Sequence, residues 1–212
     1  PLPWDKRDID LAMDSWVTHE FNEEWEQENW RLSLVNAGHI PGAGMLKVET
    51  ENKDILFTGD FDTRDSPLTN GAKPHNVDML FIEGTYGGRD HANQQEELDR
   101  FIENVIRVTD KGGTVLIPAF ANGRTQDMLI RLYQNCPELD VHVDGMGKRI
   151  TKLQLENSQF LRDPKLLNDA WNWSKRVSSK SDRKKGLDSD VIVSTSGMLQ
   201  GGPSIWYLNR LR

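Results

Sequence analysis

The stretch "VNAGHIPGAGML", Val35 to Leu46, places one histidine, His39, among small residues and follows it with Gly42, Ala43 and Gly44. Runs rich in β-formers flank it, "RLSLVNAGH" before and "GMLKVET" after. The pattern therefore predicts two strands joined by a glycine-containing loop that carries the histidine. Further on, "DILFTGDF" and "VDMLFIEGT" have the same character and are bounded by Gly, Asn, Pro or charged turns. These four runs predict successive strands of one sheet. Upstream, "WDKRDIDLAMDSW" predicts a short amphipathic helix with Asp5 as its cap and Ile9, Met13 and Trp16 on one face. The acidic stretch between them, with Glu23, Glu24, Glu26 and Glu28 among Trp25 and Trp30, predicts an edge or a loop.

After about His91 the period changes. "NQQEELDRFIENVIRV" spaces Leu98, Phe101, Ile102, Val105 and Ile106 as the buried stripe of a helix. "KGGTVLIPAF", "DVHVDG" and "DVIVSTSG" predict further strands, and "GRTQDMLIRLYQ" predicts a helix between the first two. Strands alternating with helices imply an α/β arrangement with a parallel sheet covered on both faces. The basic, serine-rich segment from Ser174 to Gly186 predicts an exposed loop or helix end whose charges are solvated.

The bulk properties exclude several classes. The 212 residues suffice to bury a core, and no apolar run approaches the roughly 18 residues of a membrane-spanning helix. A single cysteine, Cys136, rules out an internal disulfide framework and fits a reducing cytoplasm. The net charge of −7 is unevenly spread. Residues 1 to 100 hold 21 acidic and 9 basic side chains, and residues 101 to 212 hold 12 and 17. An acidic metal-bearing half joined to a basic polyanion-holding half has this distribution, and so does ordinary surface variation.

The chemistry-bearing residues stand where predicted strands end: His39 after "LVNAG", Asp60 after "LFTG", Glu83 after "LFI", and Ser194, Thr195 and Ser196 after "VIV". Open α/β sheets build their sites at such ends. Singly, each is also an ordinary cap or turn residue; together they mark a site. "FANGRTQ" adds Arg124 at a strand-to-helix turn, where a guanidinium and free helix N–H groups both favour an anion.

On these residues the chain resembles the beta-CASP nucleases of the metallo-beta-lactamase fold, especially archaeal and bacterial relatives of the pre-mRNA 3′-end processing endonuclease subunit. The motifs that carry the resemblance are "NAGHIPGAGM", "LFTGDFDTR", "FIEGTYGGRDH", "IPAFANGRTQDML", "VDGM" and "STSGMLQGGPS", in that order. The resemblance implies a partial metallo-beta-lactamase domain, an αββα sandwich, over residues 1–92. An inserted α/β beta-CASP domain with a parallel sheet follows over 93–212, incomplete at its C-terminal end. It implies two Zn2+ ions in the complete protein, with His39 bound to one and Asp60 bridging both, and hydrolysis of phosphodiester bonds in RNA 3′-end processing or decay. Glu83 corresponds to the acidic residue that orients a general-acid histidine of the inserted domain, although Gly84 stands where the family has a serine. Arg124, Ser194, Ser196 and Gly197 are assigned to RNA phosphates. RNA is the implied partner, with a homodimer or an RNA-processing complex as the assembly and no membrane involved. A non-catalytic scaffold paralogue and a DNA repair nuclease of the same superfamily are the alternatives.

The family's "HxHxDH" loop is absent, and the five histidines, His19, His39, His75, His91 and His142, form no local cluster in sequence. With Pro1 in place of methionine, the chain reads as an internal piece. By itself it is expected to bind zinc poorly and to leave RNA uncut.

Overall fold

The computed structural model describes residues 3–211. The chain begins with helix α1 (Lys6–Asp14), capped as expected by Asp5, whose side chain accepts from Arg7 and Asp8 while Asp8 returns a bond to Asp5. No residue of α1 is buried. A five-stranded sheet follows in simple order: β1 (Glu24–Gln27), β2 (Trp30–Asn36), β3 (Gly44–Glu49), β4 (Asp54–Phe57) and β5 (Met79–Phe81). The acidic stretch is the edge strand β1. Pairing is antiparallel from β1 through β4 and parallel between β4 and β5, so β2, β4 and β5 run the same way. Their carboxyl ends reach one edge of the sheet. Val35, Ala37, Met45, Leu56 and Ala72 form the core on one face.

The second sheet is wholly parallel, in order β6-β9-β7-β8. Its strands are β6 (Val115–Pro118), β7 (Val141–Asp144), β8 (Lys175–Arg176) and β9 (Val191–Ser194). Every residue of the two central strands, β7 and β9, is buried. Because side chains alternate between faces, this requires cover on both sides of the sheet. Helices α2 (Gln94–Thr109), α3 (Arg124–Asn135), α4 (Gly147–Glu156), α5 (Pro164–Trp173), α6 (Lys180–Lys185) and α7 (Gly202–Leu208) surround it. The main core holds Leu129, Ile130, Leu132, Val143, Leu167 and Val193, with Leu68 reaching in from the segment after β4.

Two expectations need correction. The apolar stripe of α2 is only partly covered: Val105 is buried, while Ile106 stays exposed. The strand beneath α2 is β6, at the sheet's edge, so the helix overhangs it. The segment Ser174 to Gly186 is not a solvated loop. It supplies β8 and the capped helix α6; Lys175, Lys180, Lys184 and Lys185 are exposed, as expected, while its two arginines have internal partners. Arg176 lies 5.0 Å over the Trp171 ring, and Arg183 binds buried Asp144 through two nitrogens at 2.6 and 3.2 Å. Tyr207 and Lys148 approach the same carboxylate at 3.2 and 3.6 Å, and burial pushes the Tyr207 hydroxyl's pKa up. Charge patterning could not reveal these partners because Asp144 lies 39 residues before Arg183.

Small residues around His39 are explained by crowding. Gly38 has φ +71°, and a Cβ on it would meet the Asp62 carbonyl oxygen at 2.3 Å and the Ala72 nitrogen at 2.6 Å. Gly42 also has positive φ, +82°, but faces open space. Gly38→Ala is therefore expected to destabilise by about 3 kcal/mol and Gly42→Ala by only about 1 kcal/mol in urea unfolding, separating close approach from backbone preference. Arg183→Met, which leaves Asp144 without its two-pronged partner, should cost about 3 kcal/mol in the same measurement.

Candidate metal and phosphate site

Main-chain hydrogen bonds lace together the loops that follow β2, β4 and β5. Asp62 N–H donates to Ala37 O at 2.9 Å, and Thr58 N–H donates to Phe81 O at 3.0 Å. Glu83 N–H donates to Thr58 Oγ1 at 3.3 Å. Gly59, with φ +53°, turns the chain just before Asp60. His39, Asp60 and Glu83 consequently line one cleft of about 530 Å³ together with His91 and Arg124. His39 Nε2 stands 3.9 Å from Asp60 Oδ2, and both side chains are open to the cleft, 42% and 75% exposed.

Glu83 is held more tightly. Its two carboxylate oxygens accept from Phe61 N–H at 3.3 Å and Thr85 N–H at 3.4 Å. Hydrogen bonding from the Thr85 side chain, and then from Phe61, holds its pKa below the ordinary carboxyl value. Glu83 is thus an anion with a fixed orientation at neutral pH. Among the described residues, the histidines lining this cleft are His39 and His91, and His91 packs on Tyr86 with ring centroids 4.5 Å apart.

A second lobe of about 520 Å³, lined by Gly38, His39, Phe120, Asn122 and Arg124, lies between the two sheets. Its closure depends on Gly123, the N-cap of α3 with φ +81°, because Ile40 Cγ2 would lie 2.6 Å from a Cβ there. The loop bearing His39 therefore rests on the helix start bearing Arg124. Three guanidiniums line this lobe. Arg64 is bound by Asp62 at 2.8 and 3.0 Å, and Arg131 by Asp127 at 3.0 Å. Arg124 is exposed and makes no ion pair among the described residues, which leaves its charge available to an anion. Asp62, Arg64 and His91 were not assigned to the site from sequence, although the "DTR" spacing of Asp62 and Arg64 was a visible signal for their pairing.

The serine-containing loop divides. Ser194 is fully buried on β9, its hydroxyl directed at the Thr195 carbonyl at 3.4 Å, so the expectation that it reaches a phosphate is corrected. Both faces of β9 are covered, so neither leaves this side chain open to a phosphate. Ser196 is half-buried, and Gly197 packs against the main chain of Ala119 and Phe120.

Imidazole nitrogen and carboxylate oxygen are the donors zinc accepts, and this pair is solvent-facing and close enough to share an ion. They fit part of a coordination shell only: among the described residues no group of three or more His, Cys, Asp or Glu side chains is placed to hold a metal. A structural zinc needs four ligands and a catalytic one usually three. As a check on the site's electrostatics, the Glu83 carboxyl followed by NMR should titrate below 4.5, and Thr85→Val should move it upward. The depressed value means that this contribution to stability is present above the unfolded carboxyl pKa and is lost as pH falls through the folded one.

No model of a known protein family matches the chain. Individual relatives do. It is 35% identical over 99% of its length to RNase aCSPSF2 of Saccharolobus solfataricus, covering 44% of that protein. It is 32% identical over 98% of its length to Probable RNase MJ4 of Methanocaldococcus jannaschii, covering 51% of that protein. Over 61% of its length it is 36% identical to Cleavage and polyadenylation specificity factor subunit 3 of Dictyostelium discoideum, covering 17% of that protein. The chain thus spans about half the length of the first two. Members of the family they represent are metal-dependent hydrolases. With strand ends that bring His39, Asp60 and Glu83 to one cleft and relatives of this kind across nearly its whole length, the chain belongs to the beta-CASP family of the metallo-beta-lactamase fold.

Proposed function

We propose that this chain is part of a zinc-dependent nuclease that hydrolyses phosphodiester bonds of RNA in 3′-end processing or decay. The observation that carries this reading is the convergence of His39, Asp60 and Glu83 on a cleft that also contains Arg124, which has no ion pair among the described residues. Two relatives are named as RNases, which supports RNA over DNA as substrate. The two sheets are read as the cores of two domains, residues 1–92 and 93–212, with the substrate cleft between them. A cytoplasmic location fits the single, buried Cys136.

Two zinc ions, when bound, would supply an activated water and charge neutralisation at the phosphate. His39 is suited to offer a neutral nitrogen, and Asp60 two oxygens that can serve two ions. The remaining donors must come from outside the described residues. Glu83, fixed by Phe61 and Thr85, would hold the tautomer of an imidazole that passes a proton to the leaving oxygen. Arg124 and the helix start behind Gly123 would bind the scissile phosphate or its neighbour. Ser196 and Gly197 are retained as secondary phosphate contacts.

In the protein expressed from the complete reading frame, His39→Ala and Asp60→Asn are each expected to lower zinc content and to reduce RNA cleavage on the order of 1,000-fold or more. Circular dichroism should be unchanged, since both side chains are exposed. Full cleavage by either variant would refute the assignment. A wild-type protein that neither binds zinc nor cuts RNA would move the reading to the scaffold paralogue.

A further inference from the structure

β1 is the outer strand of the first sheet, and β8, followed by α6, is the outer strand of the second. Each pairs with one strand only among the described residues, and an open edge is where another chain can add. Lysine commonly guards such an edge, but β1 carries glutamate. Arg31, across the ladder from Glu26, is shared by Glu24 at 3.9 Å and Glu49 at 3.4 Å. Glu26, Glu28 and Glu51 are exposed and make no ion pair among the described residues. With the exposed indole of Trp30 they line a concavity of about 360 Å³.

The opposite charge gathers at the other edge. Lys175 is held by Asp140 at 2.9 Å, Arg176 by two carbonyl oxygens, and Arg183 by Asp144. Asp182, the one acid of α6, is occupied at the helix start, where it accepts from Ser178 N–H at 3.1 Å and Ser179 N–H at 3.0 Å. Lys180, Lys184 and Lys185 stay exposed with no ion pair among the described residues. Lys180 and Lys184 stand four apart, a like-charge spacing that weakens a helix, so local stability does not account for them. The Trp206 ring carries Arg183 at 5.8 Å and Arg210 at 4.2 Å, which adds exposed Arg210 to this face.

We infer that the β1 edge of one copy of this chain docks on the α6 face of another. Glutamates of the first patch meet the ammoniums of the second, and the Trp30 ring offers its face to one of them. The charge of each patch specifies the other as its occupant. Because the two surfaces differ, the contact is heterologous: a copy receives one neighbour at each patch, and assembly grows unless the rotation closes a ring. Neither patch contains a residue lining the His39 cleft, so the contact uses none of its charges and does not depend on the RNA reading.

The test is sedimentation velocity of the protein expressed from the complete reading frame, in about 50 mM and about 500 mM salt. Wild type should form larger species at low salt that dissociate at high salt. Glu26→Gln with Glu28→Gln, and separately Lys184→Gln with Lys185→Gln, should each weaken this association about 10-fold while circular dichroism is unchanged. Mixed in equal amounts, the two double variants should associate with wild-type affinity and stop at a single contact, since each retains one intact patch. Association that ignores salt, or that survives both double variants, overturns the inference. So does a wild type that gains no larger species at low salt while Lys184→Gln with Lys185→Gln weakens binding of single-stranded RNA, which would make the α6 face a nucleic-acid contact.

Discussion

The contact between Ile40 and Gly123 is the constraint on which the site depends. One side chain from the loop after β2 occupies the space that any Cβ on the α3 cap would need. Without that contact the five-stranded sheet would still present His39, Asp60 and Glu83, and the parallel sheet would still present Arg124. The contact seats the loop bearing His39 on the helix start bearing Arg124. Neighbouring interactions reinforce the same junction: Arg162 N–H donates to Leu68 O at 3.0 Å, and Phe21 meets Phe160 edge-on with centroids 5.4 Å apart. Leu68 itself belongs to the core of the second sheet although it follows β4 in the chain. The acidic and basic halves are therefore packed together, with the cleft as their seam.

Selective pairing of charge gives the seam its character. Carboxylates occupy Arg64 and Arg131, which stiffens the walls and removes their positive charge from the ligand's view. Arg124, beside the cluster of His39, Asp60 and Glu83, has no ion pair among the described residues. A net-negative chain can in this way offer a local anion site, since what a phosphate experiences is the nearest unpaired charge and not the sum over the surface. At the carboxyl end of β7, Asp144 applies the opposite logic. There Arg183, Lys148 and Tyr207 converge on a carboxylate that is 2% exposed, which ties β7 to α6, α4 and α7.

Much of this was legible in the residues. Alternation and turn signals predicted β2 to β7 and β9, the cap Asp5 marks a real helix start, and polar residues just past strand ends marked His39, Asp60 and Glu83 as a set. Ser194 failed the same logic because distant segments cover both faces of β9, which no local pattern shows. Within 174–186 the strand β8 was missed because two residues have no periodicity to read.

Local pattern by itself determined the element types, the family motifs and the residues able to bind metal or phosphate, because spacing and side-chain chemistry are properties of neighbours along the chain. Tertiary structure alone decided that Gly38 must lack a side chain, that Arg124 is free while Arg183 is not, and that two strand-end clusters share one cleft. Each of those facts depends on atoms brought together from distant positions, such as Gly38 with Asp62 and Ala72, or Asp144 with Arg183. Only the closed backbone and its packing specify such distances.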